Sequence, residues 1–348
     1  MDLTDHQRQT AEYHLKDGQA RLKQRDYAGA LRAFDQAVLF APRFAEPWLL
    51  RGALRVNHLN DLNGGIEDCT RALRLLPGHP GAHANRGIAR LKQQRYALAA
   101  EDFGAALLRQ PLDGSLHRLK AYCHYELEEY ERAIVHYSAS LKFWHEPALC
   151  HDMRGVCHYA LHAFEAAAAD FDAALQHDPG RASAYSHRGI LHTHRGAYAA
   201  AIADHTTALS RQPLPGYYGN RGLAHLLAGD SAAATADCEA ALALDGRFAS
   251  AYGLRGQIRF VAGDLAGALD DFRQMQVIRP AADADALVGQ SLTLAALGQL
   301  SEALTLWRRL LQHKPRYHDP AWLEDDLLLA APLRDQVARV LAALAAGD

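Results

Sequence analysis

The sequence predicts an all-α fold in which helical hairpins stack one after another, and three phased series of residues predict it. Small residues recur at Gly18, Gly52, Gly87, Ala121, Gly155, Gly189, Gly222, Gly256 and Ser291, at intervals of 33 to 35 residues. A second series, Ala30, Gly65, Ala99, Ala133, Ala167, Ala201, Ala234, Ala268 and Ala303, runs in step with the first. A third, Pro42, Pro77, Pro111, Pro179, Pro213, Pro280 and Pro315, closes most units. Each interval holds two helices of about three to four turns joined by a short turn, with apolar residues at helical spacing.

The elements follow in order. Thr4 and Gln7 read as a capping box that opens the first helix. Repeat one carries His14 where later units carry an aromatic ring, and repeat two is marked by Trp48, Gly52, Gly65, Cys69 and Pro77, with one extra residue in its turn. Repeat six shows the logic of the unit. Tyr185, Gly189 and His192 share a face of its first helix, Gly196 interrupts that helix, and Tyr198, Ala201, Ile202, His205 and Ala208 form the stripe of the second. Gly189 and Ala201 are expected to let two backbones approach closely, and Pro213 ends the unit because it has no N–H for a continuing helix. Repeat eight repeats the pattern with Tyr252, Gly256, Ala268, Phe272 and Pro280, while repeat nine keeps Ala303, Trp307 and Pro315. After Pro315, one further helix is expected from Asp319 and Pro320 through Trp322, Leu323, Leu327 and Leu328. A last one is expected from Pro332 through Leu333, Val337, Val340, Leu341 and Leu344.

This register resembles the tetratricopeptide repeat, in which an aromatic residue, a small residue, Ala, a second aromatic and Pro stand at fixed offsets. The resemblance covers about residues 11 to 315, nine units, and its strength lies in repetition. It implies a right-handed superhelical solenoid whose first helices line a concave groove and whose second helices form the convex back. The division expected is an array over 1–315 and capping helices over 316–348.

Composition narrows the partners. A formal charge of −3 and a pI near 6.7 provide no general basic field, so no nucleic acid is expected. Cys69, Cys123, Cys150, Cys157 and Cys238 are odd in number and scattered, which points to free thiols in a reducing compartment. The N-terminus shows no apolar signal core and no run of 18 apolar residues occurs, so neither export nor membrane insertion is expected and the location expected is cytoplasmic.

Comparing the repeats with one another exposes a correlation. Arg51, Arg86, Arg154, Arg188, Arg221 and Arg255 directly precede the small residue in six units, and the same units carry Asp68, Asp102, Asp170, Asp204, Asp237 and Asp271 on the second helix. The other three units lack both and have Asp17 with Ala33, Lys120 with His136, and Gln290 with Leu306. An arginine fork satisfying both carboxylate oxygens explains why the two residues are gained and lost together. The pair is expected to tie the first helix to the second, or to the adjacent unit.

The sequence contains no phosphate-binding glycine loop, nucleophile elbow, HExxH or CxxC, so neither catalytic chemistry nor a cofactor is expected. His124, His158, His192 and His225 occupy one slot in successive repeats, where Arg21, Arg55, Arg90 and Arg259 stand elsewhere. That exchange with arginine argues for a cationic or hydrogen-bonding role rather than metal ligation. Cys157, His158 and His162, and likewise His187, His192 and His194, have local spacings that would let them cluster.

What remains is an interaction scaffold binding a protein or peptide partner, with a nucleic-acid-binding or small-ligand-binding solenoid as the alternative. Groove positions implied by the resemblance are Leu49, Ala53 and Val56; Ala84, Ile88 and Leu91; Arg118, Tyr122 and Tyr125; Asp152, Val156 and Tyr159; and Ser186, Ile190 and Thr193. Leu223, Leu226, Gln257 and Phe260 follow. Repeat four departs furthest from the consensus, and Arg118, Tyr122, Tyr125 and Tyr159 are the residue types that dominate binding hot spots. Asn85 and Asn220 lack the ordered lysine partners of a clamp for a C-terminal carboxylate.

Overall fold

The computed structural model describes residues 5–143, 146–280, 284–319, 323 and 328–346, and among these there is no strand. Thr4 of the expected capping box, and Pro320, Trp322 and Leu327 of the expected penultimate helix, lie outside the described residues. The chain divides into two compact units, Met1–Asp170 and Phe171–Asp348.

The first unit contains α1 (Asp5–Lys23), α2 (Tyr27–Phe40), α3 (Ala45–Asn57), α4 (Leu62–Leu75), α5 (Pro80–Lys92), α6 (Tyr96–Leu107), α7 (Gly114–Glu126), α8 (Tyr130–Phe143), α9 (Pro147–Ala160) and the start of α10 (Phe164–His177). Hairpins α1–α2, α3–α4, α5–α6 and α7–α8 each pack along their length, every second helix packs on the next first helix, and α3 also meets α5. In the second unit lie α11 (Ala182–His194), α12 (Tyr198–Arg211), α13 (Pro215–Leu227), α14 (Ser231–Leu244), α15 (Ala249–Val261), α16 (Leu265–Ile278), α17 (Ala284–Ala296) and α18 (Leu300–His313). A 3-10 turn at Pro315–His318 and α19 (Ala331–Ala346) complete it. Here α11, α13, α15 and α17 touch in succession, so the first helices form a continuous layer. Leu333, Val337, Val340 and Leu344 of α19 are buried, and the helix packs on α15, α17 and α18.

The small residues sit inside first helices as expected; at Gly52 and Gly222 backbone atoms of the second helix come within 3.3 and 3.4 Å of where a Cβ would stand, whereas at four other positions a ring takes the space instead. At Gly87 a Cβ would fall 2.8 Å from the Phe103 ring, so the space saved is filled by an aromatic side chain from the second helix of the same hairpin. Phe34 and Phe272 fill the same space at Gly18 and Gly256, and His205 does so at Gly189. These buried rings carry the hairpin cores, where apolar area leaves water.

Each hairpin turn needs one residue in the left-handed region. In the first unit that residue is Arg25, Asn60, Gln94, Glu128 or His162, with φ between 53° and 61°, whereas the second unit uses Gly196, Gly229, Gly263 and Gly298. The next residue often caps the second helix: Asp26, Asp61, Asp230 and Asp264 each accept from the backbone N–H three residues on. All five cysteines are free and buried, and burial pushes the Cys69, Cys123 and Cys157 thiols up to about 12, which makes them unreactive packing groups.

Candidate partner-binding face and the clamps that hold it

The arginines and aspartates that travel together in sequence meet in space. Arg51, Arg86, Arg154, Arg188, Arg221 and Arg255 each grip the aspartate of their own hairpin through Nε and Nη2, at 2.6–3.1 Å. Both placements anticipated for the pair occur together. The remaining Nη1 reaches back to the preceding second helix, where Asp35, Thr70, Ser138, Asp172 and Thr206 accept from five of the six arginines. One guanidinium therefore ties three helices, and with the carboxylates nearly buried the hydrogen bonds are short and charge-assisted. The Asp204 hydrogen bond raises the Arg188 pKa above its ordinary value against the opposing effect of burial.

The recurrent cation slot faces the same carboxylates. Arg55, Arg90 and Arg259 place Nη1 2.8–2.9 Å from Asp68, Asp102 and Asp271, and His158 and His192 place Nε2 3.7 Å from Asp170 and Asp204. The ladder is a row of auxiliary basic groups in which burial holds the His158 pKa below its ordinary value, and His124 and His225 face Glu129 and Asp230 instead. Among the described residues no group of three His, Cys, Asp or Glu side chains is placed to hold a metal ion.

The clamps fix the first helices of the six hairpins that carry them, while α7 is held by packing between α6 and α8; the exposed faces of the first helices hold the candidate contact residues. On α7, Arg118, Tyr122 and Tyr125 lie at successive helical-turn spacings and are half-buried. The Tyr122 ring sits 6.3 Å from Tyr125 and edge-on to Tyr96 of α6 at 6.4 Å, and Tyr125 meets Tyr130 at 6.1 Å. The Tyr96 and Tyr122 hydroxyls donate to the Glu126 carboxylate, and that bond, with burial, raises the Tyr122 phenol above its ordinary range. The result is an aromatic row, with Arg118 on the same helix. Tyr96, Glu126 and Tyr130 were not singled out from the sequence, although Tyr96 and Tyr130 open α6 and α8 at the same place in the repeat.

The other expected contacts fall into different settings. Leu49 lines a cleft of about 440 Å³ with Phe44, Leu75 and Leu76, while Ala53 is half-buried on α3. Ile88 is half-buried against the Phe103 core. Tyr159 packs its ring 5.7 Å from Phe164, and Ile190 is half-buried on α11 of the second unit. Asp152 departs from expectation: it is wholly buried, so its carboxylate offers nothing to a partner. Val56, Ser186, Thr193 and Phe260 are also buried, because those positions turn between helices rather than outward. Gln257 accepts from the Ala330 N–H, and Leu223 and Gln257 line a cavity of about 320 Å³ together with Leu328 and Leu329. In that part of the second unit the chain's own C-terminal segment covers the first helices.

With this geometry in hand, comparison with known proteins is informative. The tetratricopeptide repeat family matches over residues 15–80, 85–144, 153–214 and 220–286. A DnaJ homolog subfamily C member 7 homolog from Dictyostelium discoideum is 29% identical over 107 residues, which cover 30% of this chain and 20% of that protein. The match thus spans about a fifth of that relative's length. A solved tetratricopeptide repeat protein from Parabacteroides merdae superposes with a TM-score of 0.63 at 23% identity, over 72% of this chain and 98% of the other. A chain of the APC/C hetero-tetramer Cut9–Hcn1 superposes with a TM-score of 0.55 at 14% identity, covering 97% of this chain and 74% of its own. Both likenesses speak to the fold.

Proposed function

This chain belongs to the tetratricopeptide repeat family, and from that premise we propose that it is a non-catalytic scaffold that holds a peptide or partner protein along its first helices. The carrying observation is the face of α7, where Arg118, Tyr122 and Tyr125 share one side of a helix packed between α6 and α8 and Tyr96 extends the row. Tyr supplies large contact area with few rotatable bonds, Arg supplies a planar fork of donors, and a helix held by its neighbours loses little further freedom on binding. Leu49, Ala53, Ile88 and Tyr159 are the flanking contacts in the first unit, and Ile190 serves in the second. An extended or helical peptide carrying an acidic group for Arg118 fits this surface.

The segment from residue 316 onward is assigned to capping, since α19 buries its apolar face on α15, α17 and α18. Among the described residues no helix is long and apolar enough to cross a membrane. We place the site of action in the cytoplasm, where buried free thiols persist.

The test is capture from a displayed peptide library by the full chain and by the double variant Arg118→Ala with Tyr122→Ala. Peptides selected by the unaltered chain should bind the variant at least about tenfold more weakly, with helicity and melting temperature held near the original. Equal capture by both proteins would contradict the assignment of α7 as the contact face.

A further inference from the structure

Repeat four keeps the basic positions of the clamp and has lost both of its acceptors. In the clamped hairpins an aspartate of the second helix sits beside an arginine of the first, in five of the six beside a slot arginine or histidine as well, and at Asp102 and Asp170 beside a further histidine. Repeat four retains the basic positions as Lys120, His124 and His117, but the aspartate is replaced by His136. The second acceptor is missing as well. On the preceding helix, where Asp35, Thr70, Ser138, Asp172 or Thr206 would stand, there is Gly104, and the Lys120 ammonium lies 3.1 Å from where its side chain would begin. Among the described residues no acceptor is paired with Lys120, and burial followed by the nearby Arg132 lowers its pKa.

Repeats one and nine show that this is not the general outcome of losing the pair. Repeat one closes on itself, with Arg21 gripping Asp17 and Asp26, and repeat nine uses a neutral Gln290 that donates to Gln276 and the Phe272 carbonyl. Among the described residues, Lys120 of repeat four stands without an acceptor beside an open cleft, about 300 Å³ in volume, lined by Lys120, His124, Arg132, Val135 and His136.

The hydrogen-bond network around the cleft defines what each ring offers. His117 Nε2 lies 3.0 Å from the Pro111 carbonyl and must donate to it, so in the neutral ring its Nδ1 accepts. His136 Nδ1, 3.1 Å away, is therefore the donor of that pair, which leaves Nε2 as the ring's uncommitted nitrogen. His124 stacks on His136 at 5.5 Å and commits Nδ1 to Glu129 at 2.6 Å. Glu129 also takes Arg132 at 3.2 Å and is the one carboxylate of this cluster, bound to its rim rather than to Lys120.

We propose that this cleft is a binding site for a small oxyanion of the phosphate type, which occupies the place that an aspartate fills in the six clamped hairpins and accepts hydrogen bonds from Lys120 and Arg132. Burial, then Lys120, His117 and His124, hold the His136 pKa down to about 4. A bound dianion offsets that repulsion, and a proton taken up at Nε2 turns the ring into a further donor. The site is separate from the contact face of α7 and does not depend on the scaffold reading.

Titration calorimetry with inorganic phosphate at constant ionic strength tests it, using the full chain and two variants. Lys120→Met removes the central cation, and His136→Asp installs a carboxylate that fills the position from within. The unaltered chain should show saturable one-site binding, and each variant should bind at least about tenfold more weakly. The His136→Asp variant should melt no lower than the original, which separates lost binding from lost folding. Absence of saturable binding in the unaltered chain, or retention of it by either variant, overturns the assignment.

Discussion

In hairpin α11–α12, Arg188 grips Asp204 and reaches back to Asp172, whereas in α7–α8 the equivalent Lys120 faces His136 and Gly104. The two hairpins have the same register and nearly the same length, so the ion-pair clamp is not required to form the unit. What the hairpins share is a side chain packed over the small residue, a ring at Gly18, Gly87, Gly189 and Gly256 but Cys69 at Gly52, together with the left-handed turn. The clamp adds a cross-link among three helices, and its absence leaves basic groups facing a cleft.

The second difference runs the other way. Repeat four buries Tyr137 at the ring position, an ordinary aromatic, while repeat six buries His205, fully enclosed and with neither ring nitrogen hydrogen-bonded among the described residues. Repeat six thus combines a strong clamp with a poorly satisfied core ring. Its Gly196 turn is relaxed, whereas Glu128 of repeat four holds φ at 58°.

The largest effect expected from breaking this comparison is at Asp204. Asp204→Leu leaves the mostly buried Arg188 without its main partner and should lower unfolding free energy by about 3 kcal/mol, read from urea denaturation. The equivalent change in repeat four, His136→Leu, strands no such pair and should cost far less. Next in size is His205→Phe, which replaces an unsatisfied imidazole by the residue found over Gly18, Gly87 and Gly256, and should stabilise by about 1–3 kcal/mol.

His205 also sets a pH dependence. Burial, opposed by Asp204 and assisted by Arg221, lowers its pKa to about 4, while the unfolded chain titrates near the ordinary value of about 6.5. Between those values the unfolded state binds more protons, so this contribution to stability is intact above about pH 6.5 and falls as pH drops toward 4. His205→Phe should flatten that limb of the profile. An unchanged profile would show that the buried imidazole is not its source.

The smallest effect lies in the turns. Glu128→Gly should stabilise by about 1 kcal/mol by removing the left-handed penalty, and Gly196→Ala should cost about the same. Equal and negligible shifts in both would mean that the turn contributes little to the difference between the hairpins.

The hairpin register, the phased small residues and the arginine–aspartate pairing were legible in the sequence because each recurs many times, so the repeats act as their own comparison. The three-helix reach of the arginines was only half legible. The acceptors on the preceding helix are Asp, Thr or Ser, chemically alike as oxygen acceptors but different as letters. Non-glycine turns such as Arg25 and Gln94 carry no sequence mark of a positive φ, and only the glycines of the second unit announce it. Asp152 was misplaced because a groove offset carried from a family pattern fixes the helix face only to within one residue. At that resolution a buried carboxylate and an exposed one look the same. The aromatic row of Tyr96, Tyr122, Tyr125 and Tyr130 spans two hairpins; Tyr122 and Tyr125 share a helical spacing, whereas Tyr96 and Tyr130 share none with them that would gather them in advance.

The central claim is that arginine and aspartate act as one unit in holding each clamped hairpin. A double-mutant cycle with Arg188→Met, Asp204→Leu and both together, followed by urea unfolding, tests it most directly. The structure predicts a coupling of about 2 kcal/mol or more, with the double variant more stable than the sum of single losses allows. Additive losses would contradict it.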